Sequence, residues 1–157
     1  MGNVTSTTEP PPRLATDCVV LDAGGRLLAV RRARPPFAGR LALPGGFVEP
    51  GETVEQACRR ELAEETGVEV GALRLVGVYS EPGRDPRGPV VSIAYLAQVE
   101  SCAPRAGDDA GFAAWIDRKE AASLAFDHAR IVADALALLR ADTPIGTHGV
   151  VDPGRRS

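Results

Sequence analysis

Acidic residues are concentrated between Glu52 and Glu65, with Arg60 set among them. Glu61, Glu64 and Glu65 stand at i, i+3 and i+4, a spacing that stacks side chains on one side of a helix. Like charges so placed destabilise a helix by about 0.2–0.5 kcal/mol per pair. Burying an unpaired carboxylate costs considerably more. The three also crowd the last turn, where the helix dipole favours cations. A positive group is therefore expected among them. Arg60 offsets one charge. A divalent cation offsets them better, because oxygen-only carboxylate clusters suit magnesium or manganese. The plainer alternative is a solvated acidic face with arginines nearby.

The helix carrying these residues is predicted over Val54 to Thr66, with Thr53 as N-cap, Gln56 completing a capping box and Gly67 as the stop. At 100° per residue, Val54, Ala57, Cys58 and Leu62 form its apolar stripe. Glu61 and Glu65 intrude on that stripe and Glu64 lies at its edge. Strands are expected at Leu14 to Asp22 and Leu27 to Val30, turned by Gly24-Gly25. Short extended pieces follow at Leu41 to Leu43 and Phe47 to Glu49, after a loop over Arg31 to Arg40. Further strands are expected at Leu73 to Tyr79, Val90 to Val99 and Phe112 to Ile116. A closing helix is expected over Phe126 to Leu139. Strands mixed with two helices imply an α/β or α+β layered fold. Polar, proline-rich tails are expected at 1–13 and 142–157, leaving one domain over 14–141.

At 157 residues the chain is about one domain long. Its net charge of −3 lacks the basic footprint of a nucleic-acid-binding protein. No apolar run reaches the ~18 residues of a membrane span, and no apolar segment near Met1 marks a secretory signal. Gly2 and Ser6 only weakly match an acylation signal. Cys18, Cys58 and Cys102 share no paired spacing, which favours a reducing, cytoplasmic compartment over a disulfide framework.

From Gly46 the chain reads GFVEPGETVEQACRRELAEETGV. This resembles the Nudix box, G-x5-E-x7-R-E-U-x-E-E-x-G-U with U a bulky aliphatic, and every fixed position is filled. The resemblance to MutT-like Nudix hydrolases implies an α/β/α sandwich with a mixed central sheet. It implies divalent-metal-dependent hydrolysis of a nucleoside diphosphate linked to another moiety. It makes Glu61, Glu64 and Glu65 metal ligands together with the Gly45 carbonyl. Glu52 becomes an outer or additional metal contact, and Arg60 orients the carboxylates. The cofactor would be Mg2+, with Mn2+ as an alternative. The general base is Glu64 or lies in the Asp108-Asp109 loop, which also reads as an ordinary polar turn.

Two further segments, Tyr79 to Gly88 and Leu124 to His128, resemble the ADP-ribose pyrophosphatase branch. Together with the LALPGGFVEPGE run, they extend the resemblance over Leu14 to Leu139. It implies cleavage of ADP-ribose to AMP and ribose 5-phosphate, and by analogy a homodimer. Arg84 and Arg87 would contact phosphate or ribose, since guanidinium forks match phosphate oxygens. Alternatively they are salt-bridged within their loop, with Asp85 pairing to one of them. Phe126 and His128 would shape the substrate pocket, while Asp127 is expected to cap the last helix. Two other functions stay open: a nucleoside triphosphate pyrophosphatase, and a non-catalytic ADP-ribose sensor. The intact box and the short stretch after Leu139 argue against the sensor.

Overall fold

The computed structural model describes residues 9–100, 102–107 and 110–142. A run rich in β-branched and apolar residues forms β1 (Arg13–Leu21), buried from Ala15 onward. It lies parallel to β6 (Val90–Gln98) along its whole length, from Arg13↔Val90 to Leu21↔Gln98. A strand covered on both faces needs a nearly continuous apolar run. The Gly24-Gly25 turn returns the chain as β2 (Leu27–Arg32), antiparallel to β1, with Gly25 at φ 77°. The short β3 (Leu41–Ala42) extends β2, and β4 (Gly45–Phe47) pairs with Ala15 to Asp17 of β1. β5 (Arg74–Tyr79) edges the sheet beyond β6, and β7 (Ala110–Ile116) pairs with β2. The sheet thus runs β3-β2-β1-β6-β5, with β4 and β7 attached to β1 and β2.

A helix covers each face. Cys18 and Val20 of β1, with Leu28, pack on Cys58 and Leu62 of α1 (Val54–Thr66). Val19, Leu21, Leu27 and Ala29 pack on Ile131, Val132 and Ala135 of α2 (His128–Asp142). Successive strand residues point to opposite faces, so β1 serves both layers. This is the α/β/α sandwich with a mixed sheet that the sequence implied.

The helix α1 has the expected bounds. Thr53 and Gln56 form the capping box, and Gly67 at φ 65° takes the left-handed cap conformation. The closing helix starts two residues later than expected, because Phe126 sits at φ 55°, outside helical space. A 3-10 turn over Arg118–Ser123 was not anticipated, although Asp117 and Glu120 form its capping box. The expected tails lie mostly outside the described residues; Arg13 already belongs to β1 and Asp142 to α2. No helix among the described residues is long and apolar enough to cross a membrane.

Leu62 is 1% exposed between α1 and the sheet, whereas Leu75 on the edge strand is 55% exposed. Leu62→Ala is expected to cost about 2–5 kcal/mol and Leu75→Ser less than about 0.5 kcal/mol in chemical denaturation. Equal costs would show that α1 is not packed as described.

Candidate active site

The helix α1 brings its charged residues to the end of β4. Arg60 is the hub. Its guanidinium donates to both oxygens of Glu52 (3.0 and 2.6 Å), to Glu61 Oε1 at 2.8 Å, to Glu64 Oε2 at 3.3 Å and to the Phe47 carbonyl at 3.1 Å. Its pKa is raised, first by the bond to Glu52 and then by Glu61. Glu52 therefore engages Arg60 rather than the other carboxylates, and it is also the acceptor for the Glu49 amide.

Glu61 and Glu65 are partly buried. Burial pushes the Glu61 carboxyl up, and Arg60 opposes this only in part. Burial pushes Glu65 up to about 8, the charges of Glu61 and Asp17 adding to the effect. The Gly45 amide donates to Glu65 Oε2 at 3.1 Å. Glu64 points outward, its side chain 59% exposed. Among the described residues, no three His, Cys, Asp or Glu side chains stand together as a ready metal cage. The three carboxylates are held by different partners. Arg60 draws Glu61 and Glu64 to itself, and Glu65 turns to Gly45. The donors still suit a hard divalent cation: oxygen ligands one helical turn apart, beside the Gly45 backbone. Positive charge there would reverse the penalty that raises Glu61 and Glu65.

Gly45 and Gly46 also border a cleft of about 550 Å³, including its open mouth. Arg32, Arg87, Phe47 and Phe126 line it. The Arg87 guanidinium lies 5.0 Å from the Phe47 ring centroid and 5.8 Å from that of Phe126. Arg32 lies 4.8 Å from Phe126. Burial and the neighbouring Arg87 push the Arg32 pKa down. Facing cations of this kind favour an anionic guest.

A buried polar chain closes the cleft from below. Ser92 Oγ donates to Asp17 Oδ2 at 2.5 Å, and His128 Nε2 lies 3.2 Å from Asp17 Oδ1. The Leu43 amide donates to His128 Nδ1 at 3.0 Å. Arg84, 5% exposed, donates to both oxygens of Asp127 (2.9 and 2.6 Å) and lies 3.7 Å from Asp17. Burial alone would raise Asp17, but His128, Ser92 and Arg84 outweigh it and hold its pKa below the usual value.

These contacts revise the expectations. Arg84, Arg87, Phe126 and His128 all line the cleft. Arg87 pairs with Asp85, as the loop reading anticipated, yet 41% of its side chain stays exposed. Arg84 is committed to Asp127. The side chain of Asp127 therefore holds Arg84 and does not cap α2; only its carbonyl receives helix amides. Both ring nitrogens of His128 are engaged within the protein. The alternative base pair Asp108-Asp109 lies outside the described residues. Asp17, Ser92 and Arg32 were missed. Asp17 had a signal: an acid inside an apolar strand, the kind of buried polar residue that carries information.

Replacing Arg84 leaves Asp127 and Asp17 without their cation. Arg84→Ala is expected to destabilise by about 3–5 kcal/mol, the usual cost of breaking a buried pair, measured by chemical denaturation. A cost below about 1 kcal/mol, as for an exposed pair, would contradict the buried geometry. Asp17 has a lowered folded pKa. Its contribution is fully present above its ordinary value of 3.8 and is lost as pH falls through the lower folded value. Asp17→Asn should therefore flatten the acid limb of the stability profile and leave the alkaline limb unchanged.

Comparison with known proteins agrees with this geometry. The model of the NUDIX domain family matches residues 11–135. An ADP-ribose pyrophosphatase of Methanocaldococcus jannaschii is 46% identical over 123 residues, spanning 78% of this chain and 72% of the relative. The NUDIX domain of Shewanella oneidensis NrtR, solved in complex with ADP ribose, superposes with a TM-score of 0.77 at 27% identity, covering 87% of this chain and 94% of that one. A bifunctional NMN adenylyltransferase/ADP ribose pyrophosphatase from Francisella tularensis, complexed with AMP and a manganese ion, gives 0.74 at 30% identity. The match covers 82% of this chain and 42% of that protein. With the box in place on α1 and the family match running from before β1 into α2, the chain belongs to the Nudix family.

Proposed function

We propose that this chain is a divalent-metal-dependent hydrolase that cleaves ADP-ribose to AMP and ribose 5-phosphate. One observation carries the reading: the glycine pair at the carboxylate edge, Gly45-Gly46, also borders a cleft lined by arginine and phenylalanine. A diphosphate needs its charge neutralised before water attacks it. Its organic ends need apolar walls. The two sides of Gly45-Gly46 meet these needs separately. The similarity to an archaeal ADP-ribose pyrophosphatase and to a domain that holds ADP ribose supports this substrate.

The Gly45 carbonyl with Glu61, Glu64 and Glu65 would hold Mg2+, or Mn2+ in its place. When bound, the cation neutralises phosphate oxygens and makes water a better nucleophile. Arg60, anchored by Glu52, keeps Glu61 at the edge. Glu64 is the exposed carboxylate of the set and accepts a proton from the attacking water. The new bond forms between water oxygen and one phosphorus, and the bridging oxygen leaves with the other phosphate. Arg32 and Arg87 balance the charge of the diphosphate, and Phe47 and Phe126 flank the organic groups. Arg84 serves the reaction through Asp127 and Asp17. The free state of Cys18, Cys58 and Cys102 supports a reducing, cytoplasmic setting. A second reading, binding of ADP-ribose without turnover, draws on the similarity to the NrtR domain.

ADP-ribose incubated with Mg2+ is expected to release AMP, and chelation is expected to stop the release. Glu64→Gln should lower kcat by about 10²–10⁴, the range for a general base, with ADP-ribose still bound. Glu61→Gln should weaken Mn2+ binding as well as turnover. Tight binding of ADP-ribose with no AMP released would select the sensing role and discard hydrolysis.

A further inference from the structure

Between β3 and β4 the chain crosses from the edge of the sheet to the glycine pair. Leu43 and Pro44 make that crossing and Gly45 opens β4, and each of the three is tied to a different element. The Gly45 amide reaches Glu65 of α1. The Pro44 carbonyl accepts from the Cys18 amide of β1 at 2.9 Å. The Leu43 amide, in a residue 3% exposed, would be an orphaned buried donor without a side-chain acceptor. His128, the first residue of α2, supplies that acceptor. The Ala125 amide also grips the Leu41 carbonyl, at 2.8 Å. The segment leading into α2 thus holds the approach to Gly45 at two points.

The imidazole can do this in one tautomer only. Nδ1 accepts from Leu43, so the proton must sit on Nε2, facing Asp17 Oδ1. Asp17 is itself fixed, because Ser92 holds its other oxygen and its backbone pairs in register with Gly45. We propose that His128 is a positioning residue: its ring, oriented by Asp17, holds the Leu43 amide and thereby sets the Gly45 carbonyl at the cation edge of the cleft. His128 thus acts through the backbone rather than on the substrate. The inference rests on the proposed function only for the identity of the cation site. An outer partner of this type changes metal affinity or activity by about 10–100-fold when lost.

Asparagine places an acceptor near Nδ1, and glutamine places one near Nε2. Mn2+ affinity, measured by electron paramagnetic resonance, should fall about 10–100-fold in His128→Gln and stay near the wild-type value in His128→Asn. With ADP-ribose, kcat of His128→Gln should fall while KM changes little. Two results would overturn the proposal. One is a raised KM with unchanged Mn2+ binding in both variants, which marks a substrate contact. The other is an equal loss of Mn2+ affinity in both, which marks simple packing. Nitrogen NMR of the wild-type imidazole needs no variant to fold; it should show Nε2–H with bare Nδ1, and the opposite tautomer also overturns the proposal. A wild-type chain that binds no Mn2+ yet shows Nε2–H removes the proposed cation site, and the inference falls with it.

Discussion

A Cβ atom built on Gly46 would lie 2.5 Å from the Glu61 carboxyl carbon, and one on Gly45 would lie 2.2 Å from the Thr16 carbonyl oxygen. A side chain at Gly45 would have to move the backbone of β1, and one at Gly46 would have to displace the Glu61 carboxylate. This close approach lets β4 lie against β1 on one side while the carboxylates of α1 rest on its other side. The remaining architecture follows from that contact. The packing of Cys58 and Leu62 on the sheet sets the phase of α1, which ends at Gly67 just after Glu65. β1 must be apolar on both faces, because it carries β4 and β6 as neighbours and a helix on each side.

Around the glycine pair, glutamates gather about Arg60 on the α1 side, and Arg32, Arg84 and Arg87 stand with Asp17 and Asp85 on the cleft side. Burial and mutual repulsion raise Glu61 and Glu65. Burial and Arg87 lower Arg32. Neither arrangement is favourable by itself. Together they form two half-sites of opposite need, one for a cation and one for an anion. A metal-bound diphosphate contains both. The local conflicts sit where the chemistry is expected, as they do in proteins that are otherwise locally consistent.

Beneath the cleft, the same physics gives a different result. Asp17, Ser92, His128, Arg84 and Asp127 are buried or nearly so, and each is partnered. A satisfied buried network is rigid, and a half-satisfied one is costly. This network joins β1, β6, the loop before α2 and α2 itself. It turns the floor of the cleft into a fixed surface rather than a set of free binding groups, which is why Arg84 and His128 have roles different from those their residue types suggested.

The amino-acid sequence alone determined the local features. The bounds and caps of α1, the turn at Gly24-Gly25 and the spacing of the Nudix box depend on residues close in the chain, where helical period and cap chemistry decide the outcome. The class of chemistry was legible for the same reason. Only the tertiary structure decided the rest. It placed β1 parallel to β6, brought Ser92 and His128 to Asp17, sent Asp127 to Arg84 instead of the helix cap, and put Arg32 in the cleft. Those partners are separated by tens of residues. No periodicity links them, because register and crossover, set by packing of the whole sheet, determine which side chains meet.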